Sequence, residues 1–401
     1  MRIAFVTTEY MCEKSEFDGG LSNYLYRQSK SLVKRGHDIE IFTLSDNSET
    51  FKHDDILTHQ VRNNSKLFLT LSKITRYKLK RVFRFLSIAL CLSNFLKKRH
   101  IIKPFDIIQV CSCFGCGLFI TKQFNIPVLT RVSSYEPLLR KYYRVKLNLD
   151  QKLCELIEKF ALKRSCAVFA PSNLLANILN NINIKTDVMR PPFTLEHIAL
   201  DENVFQKHLF GKNYLLFYGA IGYLKGCAVL ADCLPEIFAK YPDIHLALIG
   251  KNLQGPEGLN MVEYIQKISS KYVDRIHYLG ILDHSKLYPI LENSHTVVLP
   301  SLIDNLPNTM IESMAMGKVV IGTRGTSFEE LIEDGRTGLL VEKENSKALF
   351  DAIDRALNLS EEKRKEIGLN AKSLINLELN PEIICKKLEN YYENLITKYS
   401  S

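Results

Sequence analysis

Two carboxylates, Asp304 and Glu312, stand eight positions apart in the stretch LPSLIDNLPNTMIESMAMGKVVIGT, residues 299–323. This stretch predicts a strand, a loop, a helix that a glycine ends, and a second strand. Asp304 therefore falls on the loop and Glu312 in the first turns of the helix. Amides at the start of a helix can donate to a phosphate or a sugar oxygen. The amides expected to be free there are those of Asn308, Thr309 and Met310. Free amides beside carboxylates suit a ligand with both an anion and hydroxyl groups, such as a nucleotide sugar.

A lysine in a glycine-rich loop adds a positive charge. The segment FYGAIGYLKG, residues 217–226, predicts a strand that ends in a loop, with Lys225 directly before the next helix. The ammonium group of Lys225 could neutralise a diphosphate that gains charge as it leaves. A solvated lysine beside a turn fits the same pattern equally well, because glycine loops are common in α/β folds.

The elements that must position these residues alternate between strands and helices. The first strand is followed by Asp18, Gly19 and Gly20, and a helix is expected to begin near Leu21 and to end at Gly36. In the first half, strands are expected over 2–7, 37–44, 105–110, 127–132, 167–170 and 186–189. In the second half, they are expected over 214–220, 245–249, 276–279, 296–299, 319–323 and 338–341.

This alternation predicts two α/β domains, each with a parallel sheet covered by helices. A chain of 401 residues is also too long for a single core. Ligands bind such sheets outside the carboxyl ends of their strands, so we expect a cleft where two of them face each other. The proline pair that follows Arg190 interrupts the pattern. We expect a first domain over 1–190, a linker over 191–211, a second domain over 212–382, and a helix over about 383–401 that packs back on the first domain.

The composition is that of an ordinary globular protein, with 46% hydrophobic and 24% charged residues. The opening MRIAFVTTEY predicts a strand and not a signal peptide, since it lacks a separate charged region and a cleavage site. The ten cysteines are therefore expected to be reduced and the protein cytosolic. Cys111, Cys113 and Cys116 lie close in sequence, but no second Cys or His pair follows at a spacing that suits zinc. We interpret them as buried thiols.

The net charge of +9 is unevenly distributed, because no acidic residue occurs between Asp55 and Asp106. Basic residues alternate with apolar ones in that window, and such a segment suits an anionic membrane surface. The apolar run 85–96 is too short to span a bilayer. A solvated helix face that packs on its own domain is the alternative. Nucleic acid is disfavoured as a partner, because no nucleic-acid motif accompanies the charge. The basic residues are Arg62, Lys66, Lys73, Arg76, Lys78, Lys80, Arg81, Arg84, Lys97, Lys98, Arg99 and Lys103.

Five segments of the second half occur in a familiar order and spacing: GAIGYLKG, HLALIG, IHYLGIL, VVLPSLIDNLPNTMIESMAMGKVVIGT and DGRTGLLV. In these segments the chain resembles the retaining glycosyltransferases of family four. The Glu-x7-Glu motif of that family reads Asp304-x7-Glu312 here. The first half matches more loosely, through the N-terminal strand, the Gly-Gly turn and VFAPSN. The resemblance implies a GT-B fold, in which two Rossmann-like doubly wound domains face each other across a cleft.

Carried over residue by residue, the resemblance implies a donor site. Glu312 would hold the ribose hydroxyls of the nucleotide, and Asp304 a hydroxyl of the donor sugar. Lys225 would hold the diphosphate, Leu282 would contact the base through its main chain, and Gly20 would approach the phosphate from the first domain. Lys225 and Asp304 are the expected catalytic residues. The backbone of a short segment would line the sugar and phosphates: Leu306, Pro307, Asn308 and Thr309.

The sequence departs from the family pattern at three positions. Ala220 stands where the family usually has an arginine, five residues before the lysine, so a different arginine would have to supply that charge. The possible replacements are Arg131, Arg190 and Arg324. Ser133 stands nearest to the slot where the family often has a histidine, at the end of the strand written PVLTRVSS. Asp304 is one methylene shorter than the glutamate of the motif.

The resemblance implies an enzyme that moves a hexose-type sugar from a UDP- or GDP-sugar to a hydroxyl acceptor, with retention and without a metal cofactor. The chain has no Asp-x-Asp motif, which agrees with the last point. The basic segment suggests a lipid-linked or surface-glycan acceptor and a peripheral location on the inner face of the membrane. The alternatives are a sugar-nucleotide epimerase on the same fold and a non-catalytic module that binds nucleotide sugars or membranes. A dehydrogenase is disfavoured, because the Gly-Gly turn lacks the G-x-G-x-x-G spacing.

Overall fold

The structure is a computed structural model that describes residues 1–12, 19–143 and 147–400. It divides into two compact units, which are described separately below. The first unit comprises Met1–Pro192 together with Leu379–Ser401, and the second comprises Phe193–Glu378. Most of the run 191–211 therefore belongs to the second unit.

The first unit contains an eight-stranded sheet in the order β3-β4-β2-β1-β5-β6-β7-β8. All neighbouring strands are parallel except β3 and β4. The order reverses between β1 and β5, which makes the sheet doubly wound. The strands are β1 (Arg2–Val6), β2 (Asp38–Ser45), β3 (Glu49–His53), β4 (Ile56–Arg62), β5 (Ile107–Cys111), β6 (Val128–Arg131), β7 (Ala167–Ala170) and β8 (Asp187–Val188).

The helices of this unit are α1 (Gly20–Lys34), α2 (Lys66–Ile74), α3 (Lys80–Ile102), α4 (Glu136–Tyr143), α5 (Leu149–Arg164), α6 (Asn173–Asn180) and α14 (Pro381–Ser400). Helix α1 buries Tyr24, Leu25 and Leu32 at helical spacing, as the sequence predicts. The C-terminal helix α14 packs on α1, where the amide of Gln28 donates to the hydroxyl of Tyr392 over 3.2 Å. The Tyr392 hydroxyl in turn donates to Gln109 of β5.

The antiparallel pair β3 and β4 is a hairpin that is not predicted from the sequence. Asp54 and Asp55 form its two-residue turn, with φ angles of 48° and 64°. Both central residues of a type I′ turn need positive φ, which Asp tolerates better than most residues. The sequence lacks the Asn-Gly or Asp-Gly pair that usually marks such a turn, and β3 is largely exposed at the edge of the sheet. The other strands lie where they are predicted, with ends shifted by at most two residues.

The second unit contains a parallel six-stranded sheet in the order β11-β10-β9-β12-β13-β14. In chain order within this unit, the arrangement is 3-2-1-4-5-6, the order of a Rossmann fold. The strands are β9 (Asn213–Tyr218), β10 (Ile244–Ile249), β11 (Ile276–Tyr278), β12 (Thr296–Val298), β13 (Val320–Thr323) and β14 (Leu339–Val341). The helices are α7 (Asn203–His208), α8 (Cys227–Lys240), α9 (Met261–Ile268), α10 (His284–Asn293), α11 (Asn308–Ala315), α12 (Ser346–Leu357) and α13 (Glu361–Glu378).

Candidate active site

The strand order of the second sheet reverses between β9 and β12, which pair directly. In open α/β sheets, the crevice beyond the carboxyl ends of such a strand pair is the usual place for a ligand. The loop after β9 carries Lys225, and the loop after β12 carries Asp304. Topology alone therefore brings the two predicted catalytic residues to the same edge of the same sheet.

Close backbone contacts fix these two loops against each other. The amide of Leu302 donates to the carbonyl of Leu224 over 2.9 Å. Gly226 has φ of 71°, and a Cβ atom at this position would lie 1.8 Å from the carbonyl oxygen of Pro300. Only glycine allows this approach, so the residue after Lys225 determines how closely the two loops pack.

The ammonium of Lys225 donates to Oδ2 of Asp304 over 2.6 Å. The same carboxylate oxygen accepts from the hydroxyl of Ser301 over 3.0 Å. The side chain of Asp304 is largely buried, while that of Lys225 is about one-third exposed. The structure thus brings the predicted catalytic residues into direct contact. The lysine is partly exposed to solvent, and the hydroxyl of Ser301 holds the aspartate.

The loop that follows Asp304 is held by a serine to which the sequence alone assigns no role. The Ser327 hydroxyl donates to the carbonyl of Asp304 over 3.0 Å and accepts from the amide of Leu306 over 2.6 Å. Leu306 has φ of 50°, an uncommon conformation for a residue with a side chain. Ser327 therefore shapes the loop that is predicted to line the sugar and phosphates.

Helix α11 begins at Asn308 with Pro307 as its N-cap, and no side chain caps it. The prediction of three free amides is wrong for Met310, whose amide donates to the Pro307 carbonyl over 3.1 Å. The first turn tightens in this way because proline retains a carbonyl acceptor although it has no amide proton. For the amides of Asn308 and Thr309, the described residues provide no hydrogen-bond acceptor.

Glu312 lies in α11 and is buried, with 3% of its surface exposed. Its carboxylate contacts a histidine that is not among the predicted site residues: Nε2 of His284 lies 3.6 Å from Oε1 of Glu312. The other ring nitrogen, Nδ1, donates to Glu196 over 3.2 Å, and the ring stacks on Tyr288. His284 therefore lies between two carboxylates. A sequence signal existed, since Asp283 is a recognisable helix cap that places His284 at the start of α10.

A buried tyrosine joins β9 to the start of α11. The hydroxyl of Tyr218 donates to the carbonyl of Thr309 over 2.6 Å and lies 3.0 Å from the hydroxyl of Ser313. Burial, together with the negative charge of Glu312, raises the pKa of Tyr218 well above its usual range. Tyr218 therefore stays a neutral hydrogen-bond donor, and it helps to hold the helix turn that carries Glu312.

Leu282 lies between Gly280 and the Asp283 cap of α10, and it is half-buried. Its loop is tied to the end of β10, where the Gly250 amide donates to the Gly280 carbonyl over 2.7 Å. A Cβ atom on Gly250 would lie 1.9 Å from the carbonyl oxygen of Gly219. The loops after β9, β10 and β11 therefore pack closely at the same edge of the sheet. The base contact of Leu282 stays a prediction.

Gly20 begins α1 in the first unit and is exposed. The described residues leave open space where its Cβ would lie, so packing within this unit does not require a glycine there. The carboxylate of Glu9 lies next to Gly19, and it accepts a hydrogen bond from the backbone amide of Ser22. Burial, which outweighs this bond, raises the pKa of Glu9. Asp18, which precedes this pair of glycines, lies outside the described residues.

Two of the arginines that might replace an arginine at position 220 have partners within their own units. Arg131 is buried, donates to the Ser133 hydroxyl and lies 3.4 Å above the ring of Tyr24. Burial lowers its pKa. Arg324 lies 3.6 Å from Asp334. Replacement of the missing charge at position 220 by one of these arginines stays a prediction.

The fold and the site together define a class of protein. Two doubly wound parallel sheets, with a lysine and two carboxylates at the carboxyl edge of the second, are the features expected of a GT-B glycosyltransferase. Residues 212–359 match the family model described as "Glycosyl transferases group 1". Residues 18–191 match the model described as "Glycosyltransferase Family 4". The chain belongs to the family-four glycosyltransferases.

Curated relatives align over nearly the whole chain. Spore coat protein SA of Bacillus subtilis is 21% identical, over 98% of this chain and 99% of its own length. The O-antigen chain mannosyltransferase C of Escherichia coli is 23% identical, over 95% of this chain and 96% of its own length. Glycosyltransferases of polysaccharide biosynthesis are thus among the relatives of this protein.

Solved structures confirm the GT-B fold class. Sucrose-phosphate synthase of Thermosynechococcus elongatus superposes with a TM-score of 0.77 at 19% identity, covering 99% of each chain. Anabaena HepE in complex with UDP and glucose superposes with a TM-score of 0.71 at 15% identity, covering 98% of this chain and all of that chain. At these identities the likeness concerns the fold.

Proposed function

We propose that this protein transfers a hexose-type sugar from a nucleotide diphosphate sugar to a hydroxyl group of a glycan or a lipid-linked acceptor, with retention at the anomeric carbon. The observation that carries the proposal is the contact between Lys225 and Asp304, at the point where the strand order of the second sheet reverses. A cation for a leaving diphosphate and a carboxylate for a sugar hydroxyl lie together at that point.

In the proposed reaction, the acceptor oxygen forms a bond to the anomeric carbon while the bond from that carbon to the diphosphate oxygen breaks. The acceptor proton moves to the departing diphosphate, on the same face of the sugar. No side chain need act as a covalent nucleophile. Lys225 stabilises the negative charge that develops on the diphosphate, and the amides of Asn308 and Thr309 add to this stabilisation. We propose that these groups balance the charge without a divalent metal.

Binding of the nucleotide is assigned to Glu312. A buried carboxylate that accepts hydrogen bonds from two vicinal hydroxyls is well suited to a ribose ring. His284 and Tyr218 hold the two sides of the helix turn that carries it. Anabaena HepE has been solved with UDP and glucose bound, and the Escherichia coli relative is by its name a mannosyltransferase. These names support a nucleotide-linked hexose as the donor, and we propose a UDP- or GDP-sugar.

The acceptor is proposed to be a surface glycan or a lipid-linked precursor at the inner face of the membrane, with the protein bound peripherally. One relative acts on an O-antigen chain by its name. Another, the phosphatidyl-myo-inositol mannosyltransferase of Mycobacterium leprae, is 23% identical over 44% of this chain and 45% of its own length. Among the described residues, no helix combines the length and the apolar character needed to cross a membrane.

A panel of UDP- and GDP-sugars tests the proposal. The matching donor should raise the thermal unfolding temperature, because a ligand that binds the folded state stabilises it by mass action. With Glu312→Ala, that shift should largely disappear, whereas the exposed Glu366→Ala on α13 should retain it. Product analysis then distinguishes the alternatives. Transfer to an acceptor supports the proposal, a changed donor sugar without an acceptor indicates an epimerase, and binding without turnover indicates a non-catalytic module.

A further inference from the structure

Two helices of the first unit, α2 and α5, expose large aliphatic and aromatic side chains to solvent. Each of the six side chains concerned is between 53% and 71% exposed. Side chains of this size usually pack in a core, so a group of them on one surface indicates a contact with something apolar. The six are Leu67, Leu69 and Ile74 on α2, and Leu149, Leu156 and Phe160 on α5.

Five of the six exposed residues follow helical spacing, so they form a stripe along each helix, whereas Leu69 lies on another side of α2. Leu149, Leu156 and Phe160 are separated by seven and four positions, which places all three on one side of α5. On α2, Leu67 and Ile74 are also seven positions apart. The side of α2 that carries Phe68 faces α3, where Phe68 stacks on Phe83. On the outward side of α2, Lys66 and Lys73 lie between Leu69 at one edge and the pair Leu67 and Ile74 at the other.

Helices α2 and α5 both pack on α3. The carboxylate of Asp150, at the start of α5, accepts from the backbone amides of Arg81 and Val82, each over 3.0 Å. This contact places the first turn of α3 against the first turn of α5, with the exposed Leu149 beside the exposed Arg81. We use the name basic apolar face for the exposed sides of α2 and α5 together with residues 75–84, which join α2 to the start of α3.

The charges on the basic apolar face are almost all positive. Between residues 56 and 105 the sequence has no acidic side chain. Of the three acidic residues of α5, Asp150 caps α3, Glu155 pairs with Arg140, and Glu158 is half-buried, where burial raises its pKa to about 7. Lys152 and Lys163 are exposed next to the apolar stripe of α5. Exposed cations elsewhere on this face include Lys66, Lys73, Arg76, Lys78, Arg81 and Arg84.

We propose that the basic apolar face docks this protein on the surface of an anionic phospholipid bilayer. The aliphatic side chains enter the boundary between headgroups and acyl chains, and the lysines and arginines contact the lipid phosphates. A second copy of the chain is a poor partner for this face, since two such surfaces repel each other. Docking would bring a membrane-bound acceptor close to the protein. The inference rests on the proposed function only for the existence of that acceptor.

Vesicles of phosphatidylcholine with an increasing fraction of phosphatidylglycerol test the inference by co-sedimentation of the full chain. Binding should rise with the anionic fraction and fall with added salt, because salt screens the lysine and arginine charges. The double variants Leu67→Ser with Ile74→Ser, and Leu156→Ser with Phe160→Ser, should each lose about tenfold in vesicle affinity. Lys66→Glu with Lys73→Glu should lose at least as much on anionic vesicles and little on neutral ones.

A matched control is available on α13. Leu369 and Leu377 are exposed to a similar extent, 63% and 64%, but lie outside this face. Leu369→Ser with Leu377→Ser should leave vesicle binding unchanged.

Equal losses of vesicle binding in all variants, or binding that does not depend on lipid charge, would overturn the inference. So would dimers or RNA complexes that depend on these residues while vesicles are not bound. Nucleotide binding and transfer to a water-soluble acceptor should persist in every variant, so a failure of docking is distinguishable from a failure of the proposed function.

Discussion

The ammonium of Lys225 lies 2.6 Å from the carboxylate of Asp304, and this contact joins the loops that follow two neighbouring strands. The contact fixes the position of the Lys225 ammonium and that of the Asp304 carboxylate. For transfer to proceed, the diphosphate must share the lysine with Asp304, while Asp304 must also accept from a sugar hydroxyl. The two residues should therefore behave as a coupled pair in both stability and catalysis.

A double-mutant cycle measures this coupling. Lys225→Ala should lower kcat by about 10²- to 10³-fold, because it removes a charge that acts on the developing diphosphate, while nucleotide affinity falls much less. Asp304→Ala should also lower kcat, and the double variant should lose less than the product of the two single losses. In unfolding experiments the coupling free energy should be about 1 kcal/mol, since the lysine is partly exposed to solvent.

The conservative variant Lys225→Arg serves as the control for charge. If charge alone matters, it should recover part of kcat. Independent effects of the two alanine substitutions, with kcat and nucleotide affinity falling together, would contradict the idea that Lys225 acts mainly in the transition state.

Much of this site could be predicted from the sequence because its determinants are local. A carboxylate in a loop and another in the first turns of a helix are fixed by the residues between them, so Asp304 and Glu312 lie on the predicted elements. The position of Lys225 followed from a strand, a glycine loop and a helix in order. The alternation of strands and helices predicted parallel sheets, and the strand order that brings their loops together was implied by the family resemblance.

The features that were missed depend on contacts between residues distant in sequence. His284 meets Glu312 across 28 positions of the chain, and Ser327 meets Leu306 across 21. No periodicity signals such pairs. The free amide predicted for Met310 was wrong for a local reason, since the Pro307 carbonyl reaches back into the first turn.

Substitution of His284 tests whether it positions the ribose carboxylate. His284→Ala should weaken nucleotide affinity about five- to tenfold, because Glu312 loses the ring that lies 3.6 Å from its carboxylate and positions it, while kcat at saturating donor changes little. His284→Gln should recover part of the affinity by donating from its amide. In a Glu312→Gln background, further substitution of His284 should have almost no effect on affinity. Calorimetric titration with UDP and GDP measures the affinities of the wild type and of each variant, and additive losses would show that His284 acts on something other than Glu312.

The stability of the first unit should depend on Glu40 and on pH. Glu40 is buried and accepts from His59 and Arg99 over 3.0 Å and 3.1 Å, and it pairs with Arg2. Burial by itself would raise its pKa, but the bonds from His59, Arg99 and Arg2 outweigh it and lower the pKa to about 2. Removing the charge leaves the buried Arg2 with the more exposed Asp38 as its remaining anionic partner, so Glu40→Gln should destabilise this unit by about 3 kcal/mol at neutral pH.

The sign of the pH dependence follows from the lowered pKa of Glu40. The stabilisation is complete above the pKa of an unfolded glutamate and is lost as pH falls through the folded value of about 2. The difference between wild type and Glu40→Gln should therefore shrink as the pH falls from 4.5 toward 2. The two units need not unfold together, so the measurement must report on the first unit alone. The rate of hydrogen exchange in the peptide 38–45, which is strand β2, does so. A difference that stays constant over this range would show that Glu40 is not ionised in the folded state.

Substitution of Gly226 tests whether close packing of two loops sets the position of Lys225. In Gly226→Ala, the new Cβ would lie 1.8 Å from the carbonyl oxygen of Pro300, and a backbone atom cannot rotate away. Gly226→Ala should therefore lower the free energy of unfolding by about 3 kcal/mol or more, and it should also lower kcat, because the loop must move and Lys225 moves with it.

Gly258→Ala is the matched control, since Gly258 has a similar φ of 76° and the described residues leave open space at its Cβ. This control should lower the free energy of unfolding by about 1 kcal/mol through backbone strain and leave nucleotide affinity and kcat unchanged. Thermal unfolding and donor kinetics on both variants measure the difference, and equal behaviour would show that the loops can separate without moving the lysine.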